Sequence, residues 1–264
     1  MPELAEVEYY RRQWNPGLGA RVRGVKLHAG ARVFRGTDAL QLCQALPGSV
    51  MSGSAASGKR MLFRFSNQCW LGVHLGMTGK LGVGGPGHSP AKHDHLVIEC
   101  PSLSLIFNDP RQFGRIQFHL GANEPPWWHA DGPDLSSRAF NVNWVQAFLK
   151  RHPGLPLKAA LLQQSGFPGV GNWMADEILW RAGLSPLRSA RNLNEKEVRE
   201  LWLKIRFVCR QALKTVARDF SDPPRTWLYH QRWGRGGVCP RHKGPLLRDT
   251  VGGRTTAWCG ECQR

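Results

Sequence analysis

Residues 239–262 read CPRHKGPLLRDTVGGRTTAWCGEC, and their reading decides the architecture. Two pairs, Cys239 with His242 and Cys259 with Cys262, each enclose two residues, and sixteen residues separate the pairs. Zinc takes four thiolate or imidazole ligands in a closed tetrahedron, and a pair spaced in this way lets one tight turn present two donors. Tight turns are expected at 239–242 and 259–262. Between them Pro245–Leu247 and Thr255–Trp258 read as short strands joined through Val251-Gly252-Gly253. The alternative is a tail holding a pair of free thiols and a disulfide, but a segment this short has no core of its own to order it without metal. It therefore reads as a zinc ribbon holding one structural ion.

Outward from the ribbon, the chain carries 36 lysines and arginines against 19 acidic residues, a formal charge of +17 over 264 residues. Such an excess favours a polyanionic partner, with binding that weakens steeply as salt rises. Solubility or a membrane surface is the competing use of that charge. No apolar run approaches the roughly 20 residues that span a bilayer. The opening residues MPELAEVE are too acidic for a signal peptide. A soluble intracellular protein is expected, cytoplasmic and nucleoid-associated if its host is bacterial. Cys43, Cys69, Cys100 and Cys209 are scattered in mostly apolar company and read as buried thiols.

Residues 3–14 place Leu4, Val7, Tyr10 and Trp14 at helical spacing, with Glu3 and Glu6 in the first turn where the helix dipole favours them. From about Val22 to Leu120 the pattern changes to short apolar or alternating runs broken by glycine and proline. Val22–Leu27, Met61–Phe65, Trp70–Leu75, Leu96–Ile98, Leu103–Phe107 and Arg115–Leu120 read as strands of an antiparallel sandwich or barrel. Residues 121–137 break the pattern with Pro125-Pro126 and Gly132-Pro133, as a linker would. Helical periods follow. Asn143 is expected to cap a helix ending before Pro153, Pro156–Gln164 to form a second, and Asn172 to cap a third ending at Gly183. The longest starts at Asn194 with Glu197 three residues on, nearly a capping box, and directs Val198, Leu201, Ile205, Val208 and Ala212 inward. The organisation is α+β and multidomain: residues 1–120, a linker at 121–137, helices at 138–233 and the ribbon at 234–264.

Three stretches could carry chemistry. Residues 165–172, SGFPGVGN, join two expected helices and end at a helix N-terminus, where free N–H groups and glycine favour a phosphate; a simple tight turn is the alternative. Residues 108–115, NDPRQFGR, place Arg111 and Phe113 at a turn tip, one suited to a base edge and the other to wedging into a stack, although an ordinary hairpin turn has the same composition. In HLGMTG at 74–79, Met77 reads as an exposed apolar wedge or a buried methionine. No Ser/His/Asp set, HExxH motif or Walker loop occurs. With conventional nucleophiles missing, Pro2 becomes a candidate: once Met1 is removed, its secondary amine can form an iminium with a sugar carbon. Glu3 and Glu6 lie beside it as acid or base.

Together these residues resemble the formamidopyrimidine-DNA glycosylases, the Fpg/Nei group of base-excision enzymes, with the Fpg branch favoured by Met77, Arg111 and Phe113. The matches run in order along nearly the whole chain: Pro2-Glu3-Leu4 with Glu6-Val7-Glu8, Gly58-Lys59, residues 74–79, Lys92-His93-Asp94-His95, residues 109–114, Gly169-Val170-Gly171-Asn172 and the ribbon. The resemblance implies an N-terminal β-sandwich behind a leading helix, a helix-two-turn-helix domain and the zinc ribbon. It implies removal of oxidised bases from double-stranded DNA and strand nicking by β- and δ-elimination, carried out by a monomer. Pro2 is then the nucleophile, Glu3 the acid or base at the sugar, Glu6 its support, and Lys59 both catalytic and DNA-binding. Lys59, Asn172 and Arg254 match phosphate-gripping positions. Met77, Arg111 and Phe113 match the set that fills the void and engages the orphaned base, and Lys158 matches a lysine near the lesion.

The chain departs from the family pattern in three places. Ala5 stands where proline is usual, and His242 replaces a cysteine, so a Cys3His site is expected. The segment between Phe220 and Trp233 is a few residues shorter than the loop covering 8-oxoguanine in typical members. The preferred lesion therefore stays open among ring-opened purines, 8-oxoguanine and Nei-type oxidised pyrimidines. Two further readings are a catalytically silent DNA-damage-binding protein and an RNA-binding ribbon protein, and neither accounts for an intact Pro2, Glu3 and Lys59.

Overall fold

The computed structural model describes residues 1–28, 30–129 and 131–264, which form two compact units. One comprises Met1–Pro2 and Glu6–Ala130, the other Glu3–Ala5 and Asp131–Arg264. Helix α1 (Leu4–Gln13) opens the chain. In the first unit follow β1 (Gly24–Leu27), α2 (Ala39–Ala45), β2 (Met51–Ser57), β3 (Arg60–Phe65), β4 (Cys69–His74), β5 (Lys80–Gly84), β6 (Asp94–Glu99), β7 (Ser104–Asn108) and β8 (Arg115–Leu120). They form two antiparallel four-stranded sheets, β1-β6-β7-β5 and β2-β3-β4-β8. Alternation turns Met61, Phe63, Leu71, Val73 and Ile116 of one sheet, with Leu81, Leu96, Ile98, Leu105 and Phe107 of the other, into a shared core. Trp14 lies in that core against Phe63, and its indole N–H reaches the carbonyls of Gly82 and Ile106. The expected sandwich is present. The sequence reading missed α2, β2 and β5.

The second unit is helical: α3 (Val142–Arg151), α4 (Leu157–Leu161), α5 (Asn172–Ala182), α6 (Glu195–Lys214) and α7 (Val216–Asp219). Its capping pattern partly differs from expectation. Asn141, two residues before the expected Asn143, accepts from Trp144 N–H and starts α3. Gly171 occupies the N-cap of α5, leaving Asn172 as the first helical residue. The end of α5 is as expected, with Gly183 left-handed at φ +69 and Leu184 N–H closing on Leu179 O. On α6 the capping box is complete, Asn194 and Glu197 each accepting the other's N–H at 3.0 and 2.9 Å. Its Val198, Leu201, Ile205, Val208 and Ala212 are buried with Val145, Phe148, Leu161, Phe167 and Ile178.

The ribbon belongs to this second unit. Its strands are β9 (Leu247–Val251) and β10 (Arg254–Trp258), in register from Val251 with Arg254 to Leu247 with Trp258. The first strand starts at Leu247, where the sequence reading expected it to end, because Gly252 and Gly253 at φ +60 and +71 make a two-residue turn that pairs every residue before it. No helix among the described residues is long and apolar enough to cross a membrane.

Candidate functional site

The N-terminus of α5 holds an anion supplied by the chain itself. Glu3, only 3% exposed, accepts N–H bonds from Gly171 (3.0 Å), Trp173 (2.9 Å) and Met174 (3.1 Å). A helix start offers unpaired donors and a positive dipole end, and the ionised carboxylate gains from both. This corrects the reading of residues 165–172 as a phosphate cradle: three of the donors it relied on are taken by Glu3. Gly171 makes the approach possible, because a Cβ there would lie 2.2 Å from Glu3 Cδ. Glu3 is thereby immobilised in the residue next to Pro2, which is partly exposed.

One turn into α5, Asp176 anchors a buried polar knot. Its Oδ1 meets Lys158 Nζ in a very short contact, while its Oδ2 accepts from Arg232 Nε (2.9 Å), Arg232 Nη2 (2.7 Å) and Ala257 N (3.3 Å). Lys158 also donates to Asn172 O. Burial pushes its ammonium below the usual lysine range, and Asp176 opposes that shift. Lys158, expected among the DNA ligands, is fully buried, so its charge acts on Asp176 and the Asn172 carbonyl and not at a surface. Asp176 and Arg232 were absent from the sequence-derived site. The signal was charge set in two apolar runs, Lys158 alone in LPLKAALL and the Asp176-Glu177 pair in NWMADEILW.

The knot aligns two of the expected phosphate ligands. Asn172 Nδ2 donates to Thr255 O at 3.0 Å, and Arg232 Nη2 reaches the same carbonyl at 3.5 Å. Arg254, adjacent in β10, is exposed, and its guanidinium makes no hydrogen bond or ion pair among the described residues. At the end of β10 the ribbon brings its four donors together, all within 4.8 Å of one another. The sulfurs of Cys239 and Cys262 are 3.8 Å apart, and His242 Nδ1 lies 3.6 Å from Cys259 Sγ. A tetrahedron with Zn–S of about 2.3 Å and Zn–N of about 2.0 Å has edges of about 3.8 and 3.5 Å, so the set fits zinc. Burial opposes ionisation of Cys239, but N–H bonds from His242, Arg241 and Trp180 bring its thiol to about 7. Burial and the neighbouring sulfurs push Cys262 up to about 12.

In the first unit two turns pack together. Gly76, at φ +63, lies so close to Phe113 that a Cβ would meet its carbonyl carbon at 2.3 Å. Asp109 ties the turns, accepting from Thr78 Oγ1 (2.5 Å) and Gly114 N (2.7 Å). Met77 and Phe113 therefore project from adjoining turns, 41% and 42% exposed, and the Arg111 guanidinium lies 4.6 Å from the centre of the Phe113 ring. Lys59 sits in the two-residue β2–β3 turn after Gly58 (φ +58) and is 9% exposed. Glu6 is half-buried in α1.

The family model for the formamidopyrimidine-DNA glycosylase N-terminal domain matches residues 1–116, and that for the corresponding H2TH domain matches residues 132–222. The formamidopyrimidine-DNA glycosylase of Carboxydothermus hydrogenoformans is 33% identical over 273 residues, and that of Xanthomonas axonopodis pv. citri is 34% identical over 274, each over the full length of both chains. Among solved structures, Lactococcus lactis Fpg bound to DNA containing an AP site superposes with a TM-score of 0.87 at 26% identity, covering 99% of each chain. A MutM complex with carbocyclic 8-oxo-G DNA gives 0.88 at 28%, covering all of both.

Proposed function

The chain belongs to the formamidopyrimidine-DNA glycosylase family, and on that premise we propose that it excises oxidised bases from double-stranded DNA and nicks the strand as an AP lyase. One observation carries the proposal. Glu3 is held by three N–H groups at the start of α5, fixing a carboxylate immediately beside the residue whose secondary amine would react.

With Met1 removed, the Pro2 nitrogen attacks C1′ and the glycosidic bond breaks. The base leaves with a proton, and the opened sugar is held as an iminium. Loss of the 3′ phosphate and then the 5′ phosphate follows, and water releases the enzyme. Glu3 acts on the sugar ring oxygen, with Glu6 in support. Lys59, Asn172 and Arg254 hold phosphates around the lesion, and Met77, Arg111 and Phe113 fill the vacated stack and contact the orphaned base, offsetting the few kcal/mol that base flipping costs. Cys239, His242, Cys259 and Cys262 hold one zinc, which orders the ribbon that presents Arg254.

The lesion range we propose is broad. Between α7 and the ribbon the chain is pinned to itself: Tyr229 Oη donates to Asp222 (3.1 Å), His230 Nε2 meets Pro223 O (2.7 Å), and Glu177 accepts from Tyr229 N (3.2 Å). A short, tied segment suits contacts to several oxidised bases better than a cover fitted to one. Cleavage of duplexes bearing 8-oxoguanine, ring-opened guanine, dihydrouracil or a hydantoin tests this. Excision of at least two classes, leaving phosphates at both ends of the gap, is expected; binding without excision would favour the silent damage-binding alternative.

A further inference from the structure

Three N–H groups converge on the sulfur of Cys239, and one of them comes from outside the ribbon. The 239–242 turn itself supplies the N–H groups of Arg241 and His242. The third is the indole N–H of Trp180, in the last turn of α5, at 3.4 Å across 59 residues of sequence. That N–H is a donor only and has a single hydrogen, so the sulfur is its partner.

Trp180 is held in place by the same turn that it serves. The Arg241 guanidinium lies 4.3 Å from the centre of the indole and donates to the Trp180 carbonyl oxygen at 3.2 Å. One side chain thus makes a cation–π pair and meets the negative end of the α5 dipole. Leu228 and Leu246 join Trp180, Cys239 and Cys259 in one apolar cluster, in which Trp180 is 3% exposed and Cys239 fully buried. Helix α5 therefore meets the ribbon at two points, Trp180 on Cys239 and Asp176 on the N–H of Ala257.

Three thiolates and a neutral imidazole around a divalent ion leave one net negative charge. Cys239 carries its share of that charge in a buried position, where an anion needs N–H donors. A charge-assisted N–H bond draws electron density from a thiolate, makes it less nucleophilic and fixes the direction of the lone pair that binds metal.

We propose that Trp180 is a positioning residue for the ribbon zinc, its N–H bond to Cys239 making metal retention depend on α5. This rests on the assignment of one zinc to the ribbon and adds an anchor outside the four donors.

The test uses the purified, zinc-loaded full chain. Trp180→Phe keeps an aromatic ring and removes the N–H. Benzothienylalanine at position 180 replaces the N–H by sulfur in a ring of nearly the same shape, which separates the bond from the packing. In competition with a chromogenic chelator, both variants should bind zinc at least about tenfold more weakly. In cobalt(II)-loaded protein the sulfur-to-metal charge-transfer band should move to lower energy in both, because a thiolate without its N–H donor gives up an electron more easily. Iodoacetamide should alkylate Cys239 faster in the zinc-loaded variants than in the parent, with the rate at Cys262 unchanged by peptide mapping. Unchanged zinc affinity and an unshifted cobalt band would overturn the proposal while leaving the zinc site standing. Faster alkylation of all three ribbon thiols with no band shift would reduce Trp180 to a packing residue and would also overturn it. A parent chain that takes up neither zinc nor cobalt would sink the zinc assignment itself, and this proposal with it.

Discussion

Replacing Asp176 by asparagine removes the only carboxylate in the buried knot while keeping its size. In the parent, one negative charge faces two positive ones: Lys158 and Asp176 have fully buried side chains, and Arg232 is 4% exposed. After Asp176→Asn, the two cations lose the carboxylate they share, and an amide N–H₂ must point at one of them. Removing one partner of a buried pair typically costs 3–5 kcal/mol. Asparagine keeps one acceptor oxygen, so we expect a loss of about 4 kcal/mol in the second unit, read as a lowered midpoint in urea. The pH dependence identifies the cause. Burial already lowers the Lys158 pKa in the folded state, so its ammonium penalises folding at neutral pH, and the penalty fades as pH rises toward the unfolded lysine value. In the variant the penalty is larger, and the gap to the parent should narrow between pH 7 and pH 10. A loss below about 1 kcal/mol, or a gap that does not change with pH, would refute the charge argument.

Other expected outcomes follow from single contacts. Gly171 has φ −124, which alanine tolerates, so Gly171→Ala acts through its clash with Glu3. Displacing that carboxylate should cost about 1–3 kcal/mol and reduce excision at least about a hundredfold in single-turnover assays; unchanged excision would show that the position of Glu3 is immaterial. Burial pushes Glu177 up to about 7 despite Arg181. A carboxyl raised in the folded state gives stability that is complete below its unfolded value near 4.5 and is lost as pH rises through 7. Glu177→Gln should flatten the stability profile of the second unit in that window, an effect of at most roughly 3 kcal/mol.

What could be read from sequence was local. The period and capping box of α6, the apolar cores of β3, β4, β6, β7 and β8, and the four ribbon donors each depend on neighbours a few residues away. What escaped was of two kinds. Met51–Ser57 is mostly small and polar, and Lys80–Gly84 is five residues long with two glycines, so neither has the density of bulky apolar residues that marks a strand; pairing with β3 and β7 makes them strands. The site's long-range partnerships were also hidden. A helix N-terminus shows in the sequence that it takes an anion, but not that the anion is a carboxylate 168 residues earlier. Likewise Lys158 and the Asp176-Glu177 pair stand out in apolar runs of the sequence, while the meeting of Lys158 and Asp176 with Arg232 and the β10 backbone depended on the fold.

The central claim is that the reacting atom is the Pro2 nitrogen. Borohydride reduction of the purified protein on an abasic-site duplex should yield a covalent complex whose peptide map places the DNA on an N-terminal Pro2 lacking Met1, and Pro2→Gly should trap far less. No adduct with the parent protein, or an adduct mapped to Lys59 with Pro2 unmodified, would contradict it.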